Sequence, residues 1–145
     1  ETISVEDRSF LCSALNTGVP PLVVFEDGLS EKEVCHYGPL LERHPLFPAK
    51  INVNFARVQP DGSIAVRTWE RGCGRTLACG TGAASVAAVL TLKGLLSGEG
   101  VRIRSAGGVL TVDMDRVGSR IDNLYLTGST NFVAEGEITD EDLPL

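Results

Sequence analysis

A cysteine set among glycines, just ahead of a long apolar segment, is the part of this sequence best suited to chemistry. The run Trp69-Glu70-Arg71-Gly72-Cys73-Gly74-Arg75-Thr76-Leu77-Ala78-Cys79-Gly80-Thr81-Gly82 leads from an alternating stretch into near-continuous alanine, valine and leucine. At a helix start, unpaired N–H groups and the positive end of the macrodipole favour an anionic sulfur. The same N–H groups can hold a carboxylate or phosphate, and the flanking glycines let a ligand approach the backbone. Two readings of Cys79 stand on these grounds: a reactive thiol beside an anion site, or a small buried hydrophobe, as free cysteine usually is. Cys73 has no helix-end argument and reads as structural.

Glu70 and Arg71 are adjacent and would ordinarily form a solvated ion pair of little consequence. Placed at a strand end before a glycine-rich loop, they could instead hold the ammonium and carboxylate of an amino-acid-like ligand. Asn52 and Asn54 share one face of a strand, which either meets solvent or lines a pocket. His36 and His44 lie far from the loop in sequence and read as surface residues. No Gly-Lys-Ser/Thr follows the glycines, so the loop is not a phosphate-binding P-loop. The four cysteines (Cys12, Cys35, Cys73, Cys79) lack zinc-ligand spacing, and no metal site is expected.

The elements that must position this loop can be read around it. Phe10 to Leu15 and Leu22 to Phe25 are apolar runs of strand length, separated by the turn-rich Asn16-Thr17-Gly18. Ser30 with Glu33 makes a capping box, so a short helix starts there, and Gly38-Pro39 is expected to interrupt it. Pro45 to Pro48 reads as a loop. Ile51 to Phe55 alternates, Pro60-Asp61-Gly62-Ser63 is turn chemistry, and Ile64 to Trp69 alternates again: a hairpin. The long helix is expected from about Ala83 to Leu96, with Gly98 as a left-handed cap. Only Ser85, Thr91 and Lys93 are polar in it, and a helix apolar on all sides must be buried on all sides. Val101 to Arg104 and Val109 to Asp113 form a hairpin around Ala106-Gly107-Gly108. Leu124 to Leu126 and Asn131 to Ala134 supply the last strands. This order is that of an α+β fold, a mixed sheet or barrel wrapped around one long buried helix plus a short second helix.

Composition excludes several classes. At 145 residues the chain suits a single domain with a core of its own. Thirteen basic against nineteen acidic residues give a net charge of −6, which argues against nucleic acid or an anionic membrane as partner. No apolar run reaches the roughly 18 residues that span a membrane. The start, Glu1 to Val5, has neither the basic end nor the apolar stretch of a signal peptide, and it lacks an initiator Met, which suggests a fragment or processed chain. With sparse cysteines, a reducing cytoplasm is the default location.

The sequence resembles the diaminopimelate epimerases. The matching stretches are Asn16-Thr17-Gly18-Val19-Pro20, Asn52-Val53-Asn54-Phe55, Thr68 to Gly72, Thr76-Leu77-Ala78-Cys79-Gly80-Thr81-Gly82-Ala83 and Phe132 to Ile138, in the family's order along nearly the whole chain. The resemblance implies a cofactor-independent isomerase that interconverts LL- and meso-diaminopimelate, a precursor of lysine and peptidoglycan, using two cysteines as acid and base. It covers only the C-terminal half of such an enzyme, so residues 1–145 are expected to be one domain, with the N-terminal domain and its cysteine absent. Carried over by position, Cys79 resembles the catalytic cysteine, Asn52 the substrate asparagine, and Glu70 and Arg71 the substrate-contacting pair. Gly80 and Thr81 resemble the donors to the α-carboxylate. Two departures stand out. The family's Val-Pro-His is here Val19-Pro20-Pro21, and its acidic residue before Thr-Leu-Ala-Cys is Arg75, which is expected to alter the charge around the pocket.

Two other classes compete with a half-enzyme. One is a non-catalytic amino-acid-binding or regulatory domain that kept the carboxylate site. The other is a cysteine hydrolase, for which no His/Asp partner lies in a recognisable motif. With its partner domain removed, a chain of this kind is expected to expose apolar surface and a strand edge, and so to form homodimers.

Overall fold

The computed structural model describes residues 1–15 and 20–137. Asn16 to Val19, which carry the expected turn, lie outside the described residues, as does Ile138, whereas Pro21, which stands at the position of the family's histidine, opens a strand and lies opposite Asn52. In chain order the elements are β1 (Thr2–Val5), β2 (Arg8–Ala14), β3 (Pro21–Phe25), α1 (Glu31–Glu42), β4 (Asn52–Val58), β5 (Ile64–Glu70), β6 (Gly74–Thr76), α2 (Gly80–Leu92), β7 (Val101–Ser105), β8 (Gly108–Val117) and β9 (Arg120–Gly128).

The strands make one mixed sheet in the order β1-β2-β3-β4-β5-β7-β8-β9, with β6 paired to β5 beside the main path. Neighbours are antiparallel except at β3–β4 and β5–β7, which are parallel. Parallel neighbours need a crossover, and the two helices supply it. α1 joins β3 to β4, while β6 and α2 join β5 to β7.

The crossovers explain the burial. Leu22, Val24, Val53 and Phe55 point into a core with Val34 and Leu41 of α1. Val23 and Ala56, their alternating neighbours, point into a second core with Val86, Ala87 and Leu90 of α2. Strands covered on both faces read as unbroken apolar runs, as Leu22-Val23-Val24 does. α2 is buried from Gly82 to Thr91 apart from the half-buried Ala84, packed against β3, β4, β7, β8 and β9. The α+β sheet around a buried helix is therefore the fold expected, although α1, at 12 residues against 13, is hardly the shorter helix.

Several local expectations are corrected. The Ser30–Glu33 capping box forms, but α1 runs through Gly38-Pro39 instead of stopping. Pro39 removes the bond to the carbonyl of Cys35, a residue on the exposed side. Gly38 brings α1 down on β5, since a Cβ there would lie 2.7 Å from the Trp69 ring. At the helix end, Trp69 Nε1 donates to the buried Glu42 carboxylate at 2.8 Å. That packing outweighs one lost backbone bond.

α2 begins three residues before the expected Ala83 and ends at Leu92. Gly94, not Gly98, closes it: Gly94 N–H donates to Thr91 O and Leu95 N–H to Leu90 O, both at 2.9 Å, with Gly94 at φ +74°. The β4–β5 and β7–β8 hairpins form as expected. β1 and β6 are additional strands, and Asn131 to Ala134 is not a strand. Among the described residues, no helix is long and apolar enough to cross a membrane.

Candidate active site at the start of the buried helix

Strand alternation puts Asn52 and Asn54 of β4, Thr68 and Glu70 of β5, and Thr76 of β6 on the face that carries α2. The register is explicit: Asn54 lies opposite Thr68, and Thr68 opposite Thr76. Asn54 is fully buried, so it neither meets solvent nor lines an open pocket. Its Oδ1 accepts from Thr68 Oγ1 at 3.0 Å, and its Nδ2 reaches Leu22 O at 3.5 Å. Gly82, in the first turn of α2, rests directly on this amide; a Cβ on Gly82 would fall 2.2 Å from Asn54 Oδ1.

Cys79 is the N-cap of α2, extended at φ −143° and ψ 116°. Its carbonyl accepts the first helical bond, from Ala83 N–H at 2.9 Å. Its Sγ accepts from Gly82 N–H at 3.4 Å and lies 3.3 Å from Thr81 Oγ1. A cysteine thus occupies the place usually held by Ser, Thr, Asp or Asn. The first turn carries no acidic side chain to offset the helix dipole. The N–H groups of Gly80 and Thr81 have no carbonyl to meet within the helix, because they belong to its first turn. The half-buried sulfur and these donors share one end of the helix.

β5 delivers the remaining residues. After Glu70 the chain turns tightly, with Cys73 N–H donating to Glu70 O at 3.0 Å and Gly72 and Gly74 at positive φ. Asn52 Oδ1 accepts the N–H of Arg71 at 2.8 Å, tying the start of β4 to the end of β5. Arg71 Nη1 donates to Ala49 O at 3.0 Å. Among the described residues, Glu70 and Arg71 form no ion pair with each other, so the carboxylate and the remaining guanidinium donors can meet a ligand. Asn52 stands two residues, about 7 Å, from the Asn54 that supports the start of α2. Asn52 and Glu70 therefore lie on the sheet face that carries α2, whose first residues follow Cys79, while Arg71 stands in the turn after β5, tied to Asn52 and Ala49.

Two expectations change. Cys73 is exposed in the turn, not a packed structural residue. Arg75 does not project its charge toward Cys79. It lies opposite Trp69 in the register, on the α1 face, and its Nε and Nη2 meet the two carboxylate oxygens of Glu31 at 2.5 and 3.4 Å. His36, read as a surface residue, is exposed and bonds Glu6 at 2.8 Å. Sequence reasoning missed the support given by Gly107, whose N–H donates to Leu77 O at 2.8 Å, two residues before Cys79. The doubled glycine of the β7–β8 turn was its only signal.

A family model described as diaminopimelate epimerase matches residues 13–133. The chain belongs to the diaminopimelate epimerase family. It is 42% identical over 138 residues to a diaminopimelate epimerase of Desulforudis audaxviator, covering 94% of this chain and 48% of the relative. It is 40% identical over 140 residues to one of Phocaeicola vulgatus, covering 95% and 48%. The chain spans about half the length of the curated relatives it matches. Among solved structures, a hydroxyproline epimerase of Agrobacterium vitis aligns with TM-score 0.63 at 21% identity, over 88% of this chain and 48% of that one. A phenazine biosynthesis protein of the PhzF family from Bacillus anthracis aligns with TM-score 0.55 at 22% identity, over 75% and 36%. These two likenesses concern the fold of this epimerase-family chain alone.

Proposed function

We propose that this chain is the C-terminal half of a two-domain diaminopimelate epimerase and supplies one of the enzyme's two acid–base cysteines. The observation that carries the reading is Cys79 Sγ held by Gly82 N–H at the start of α2, beside the open N–H groups of Gly80 and Thr81. Epimerisation moves a proton from one face of the α-carbon to the other. On one face a thiolate takes the proton and becomes a thiol; on the opposite face a thiol delivers its proton to the carbanion and becomes a thiolate. Cys79 fills one role, and a cysteine of the N-terminal domain fills the other. The carboxylate of the developing carbanion sits on Gly80 and Thr81 N–H, where donors are fixed before charge develops. Asn52, Glu70 and Arg71 hold the polar groups at the far end of the substrate. The residues of this chain use no cofactor in these steps.

The partner domain also gives the exposed apolar rim a place. Leu77, 70% exposed, precedes Cys79 by two residues, and Leu126, 46% exposed, would touch a Cβ on Gly80 at 2.9 Å. A covered cleft excludes water that would compete for the carboxylate donors.

The test is incubation with LL-diaminopimelate in D2O, following α-deuterium by NMR and configuration by chiral chromatography. The full-length parent is expected to produce the meso isomer, and Cys79→Ser to lose at least about a hundredfold in turnover, as removal of an acid–base group does. The isolated chain is expected to retain the LL configuration with little exchange. Inversion by the isolated chain at an enzyme-like rate, abolished by Cys79→Ser, would overturn the half-site reading. A full-length parent that binds diaminopimelate without exchanging its α-proton would favour an amino-acid-binding or regulatory domain.

A further inference from the structure

Arg75 occupies a place the proton-transfer reading does not use, yet its side chain contacts three elements. Nε and Nη2 pair with both carboxylate oxygens of Glu31, in the first turn of α1. Nη1 donates to Thr76 O of β6 and, at 3.5 Å, to Thr68 O of β5. The guanidinium thus bridges the carbonyls of two residues that face each other across the β5–β6 ladder. β6 has only three residues and pairs with β5 alone, and besides that ladder it packs against α1. The Arg75 side chain is 17% exposed, against 58% for Glu31, which places the fork at a sheltered end of the pair.

The bridged residues lead to the thiol by two routes. Along the chain, Thr76 is followed by Leu77, whose carbonyl takes Gly107 N–H, and then by Ala78 and Cys79. Through the sheet, Thr68 turns its hydroxyl to Asn54 Oδ1 on the opposite face, and Asn54 underlies Gly82, the donor to Cys79 Sγ. Arginine suits this place because its planar fork can meet a carboxylate and carbonyls at once.

We propose that Arg75, clamped by Glu31, is a positioning residue for Cys79: it fixes the β5–β6 ladder on which the Gly82–Cys79 contact rests. The inference rests on the reading of Cys79 as an acid–base thiol. It concerns geometry, since the Arg75 charge is spent on Glu31 on the far face of the sheet.

The experiment measures iodoacetamide alkylation of Cys79 in the full chain from pH 6 to pH 10 by peptide mapping, with N-acetylcysteine in the same sample as reference. Each variant is assayed well below its melting temperature. Arg75→Gln is expected to raise the pH of half-plateau labelling, so that the rate at pH 7 falls about threefold against the plateau, as expected for partial loss of one donor to the thiolate. Arg75→Lys, which keeps the charge but not the fork, recovers part of that loss. Glu31→Gln, which removes only the outer partner, gives a smaller loss in the same direction. A purely structural role would lower the melting temperature and leave the half-plateau pH unchanged in both Arg75→Gln and Glu31→Gln, and that result overturns the proposal. Should Arg75→Gln not fold, Glu31→Gln decides alone by the same criterion. Alkylation reads the thiol without substrate, so this test and the deuterium-exchange test fail separately.

Discussion

Gly82 and Asn54 are in contact so close that no side chain fits between them: a Cβ on the glycine would lie 2.2 Å from the asparagine Oδ1. The amide cannot retreat freely, because it is fully buried and that oxygen accepts the Thr68 hydroxyl. Gly82→Ala must therefore lift the first turn of α2 or break the Asn54–Thr68 bond. Alanine would favour the helix by about 1 kcal/mol, but overpacking costs about 1–3 kcal/mol. A net loss of up to about 2 kcal/mol is expected in thermal or denaturant unfolding, with slower Cys79 alkylation because the Gly82 N–H is displaced. Unchanged stability together with unchanged labelling would show that the contact yields without cost.

Cys12 gives a prediction in alkali. It is 2% exposed on β2, and burial pushes its thiol up to about 11 from an ordinary 9. Below pH 9 the thiol is neutral in the folded and unfolded chain alike. Between pH 9 and pH 11 the unfolded chain releases the proton while the folded chain keeps it, so stability falls as pH rises. The loss is on the order of 2 kcal/mol. Denaturant titrations at pH 8, 10 and 11 check this, since Cys12→Ala should flatten the trend relative to the parent chain.

Glu33 gives the opposite window. The hydroxyl and backbone N–H of Ser30, with Arg8 beside them, hold its carboxyl at about 2, below the ordinary 4.5. A depressed carboxylate contributes stability above pH 4.5 and loses it as pH falls toward 2. Glu33→Gln is expected to remove that part of the acid sensitivity. The measurement is the slope of unfolding midpoint against pH between 5 and 2.5, which should be shallower in the variant.

The sheet ends at β1 on one side and β9 on the other. β9 is nine residues long, and Tyr125 and Leu126 on it are 53% and 46% exposed. Among the described residues no strand pairs with its outer edge, and a strand edge of this length is a template for another chain. Concentration-dependent association is expected in light scattering. Arg or Lys in place of Leu126 should weaken it, and a strict monomer at millimolar concentration would contradict the expectation.

Local chemistry made much of this architecture legible. The Ser30–Glu33 box, the Pro60 to Ser63 turn and the apolar span of α2 each have a cause confined to a few neighbours. The misreadings came where distant residues decide. Pro39 should stop a helix, but Trp69, thirty positions away, holds α1 through it. β6 has no strand pattern of its own and exists because β5 offers an edge. Cys79, Gly80 and Thr81 could be singled out from their glycines and the helix that follows. Asn54 could not be assigned, since nothing local distinguishes a strand amide facing solvent from one facing a helix end. Arg75 was expected to act by charge near the thiol, and its neutralising partner, Glu31, lies forty-four positions earlier.

The parallel pairing of β5 with β7 has a consequence for the order of folding. Ile64 and Ala65 meet Ile103 and Arg104, and everything between them, including Cys79, lies inside that closed crossover. The hairpins of the sheet join residues close in sequence and can form early, whereas this loop of nearly forty residues must lose far more freedom before its ends meet. Cys79 is thus assembled within one of the slowest contacts of the domain. Pulse alkylation during refolding is expected to find Cys12 protected before Cys79 gains its native reactivity.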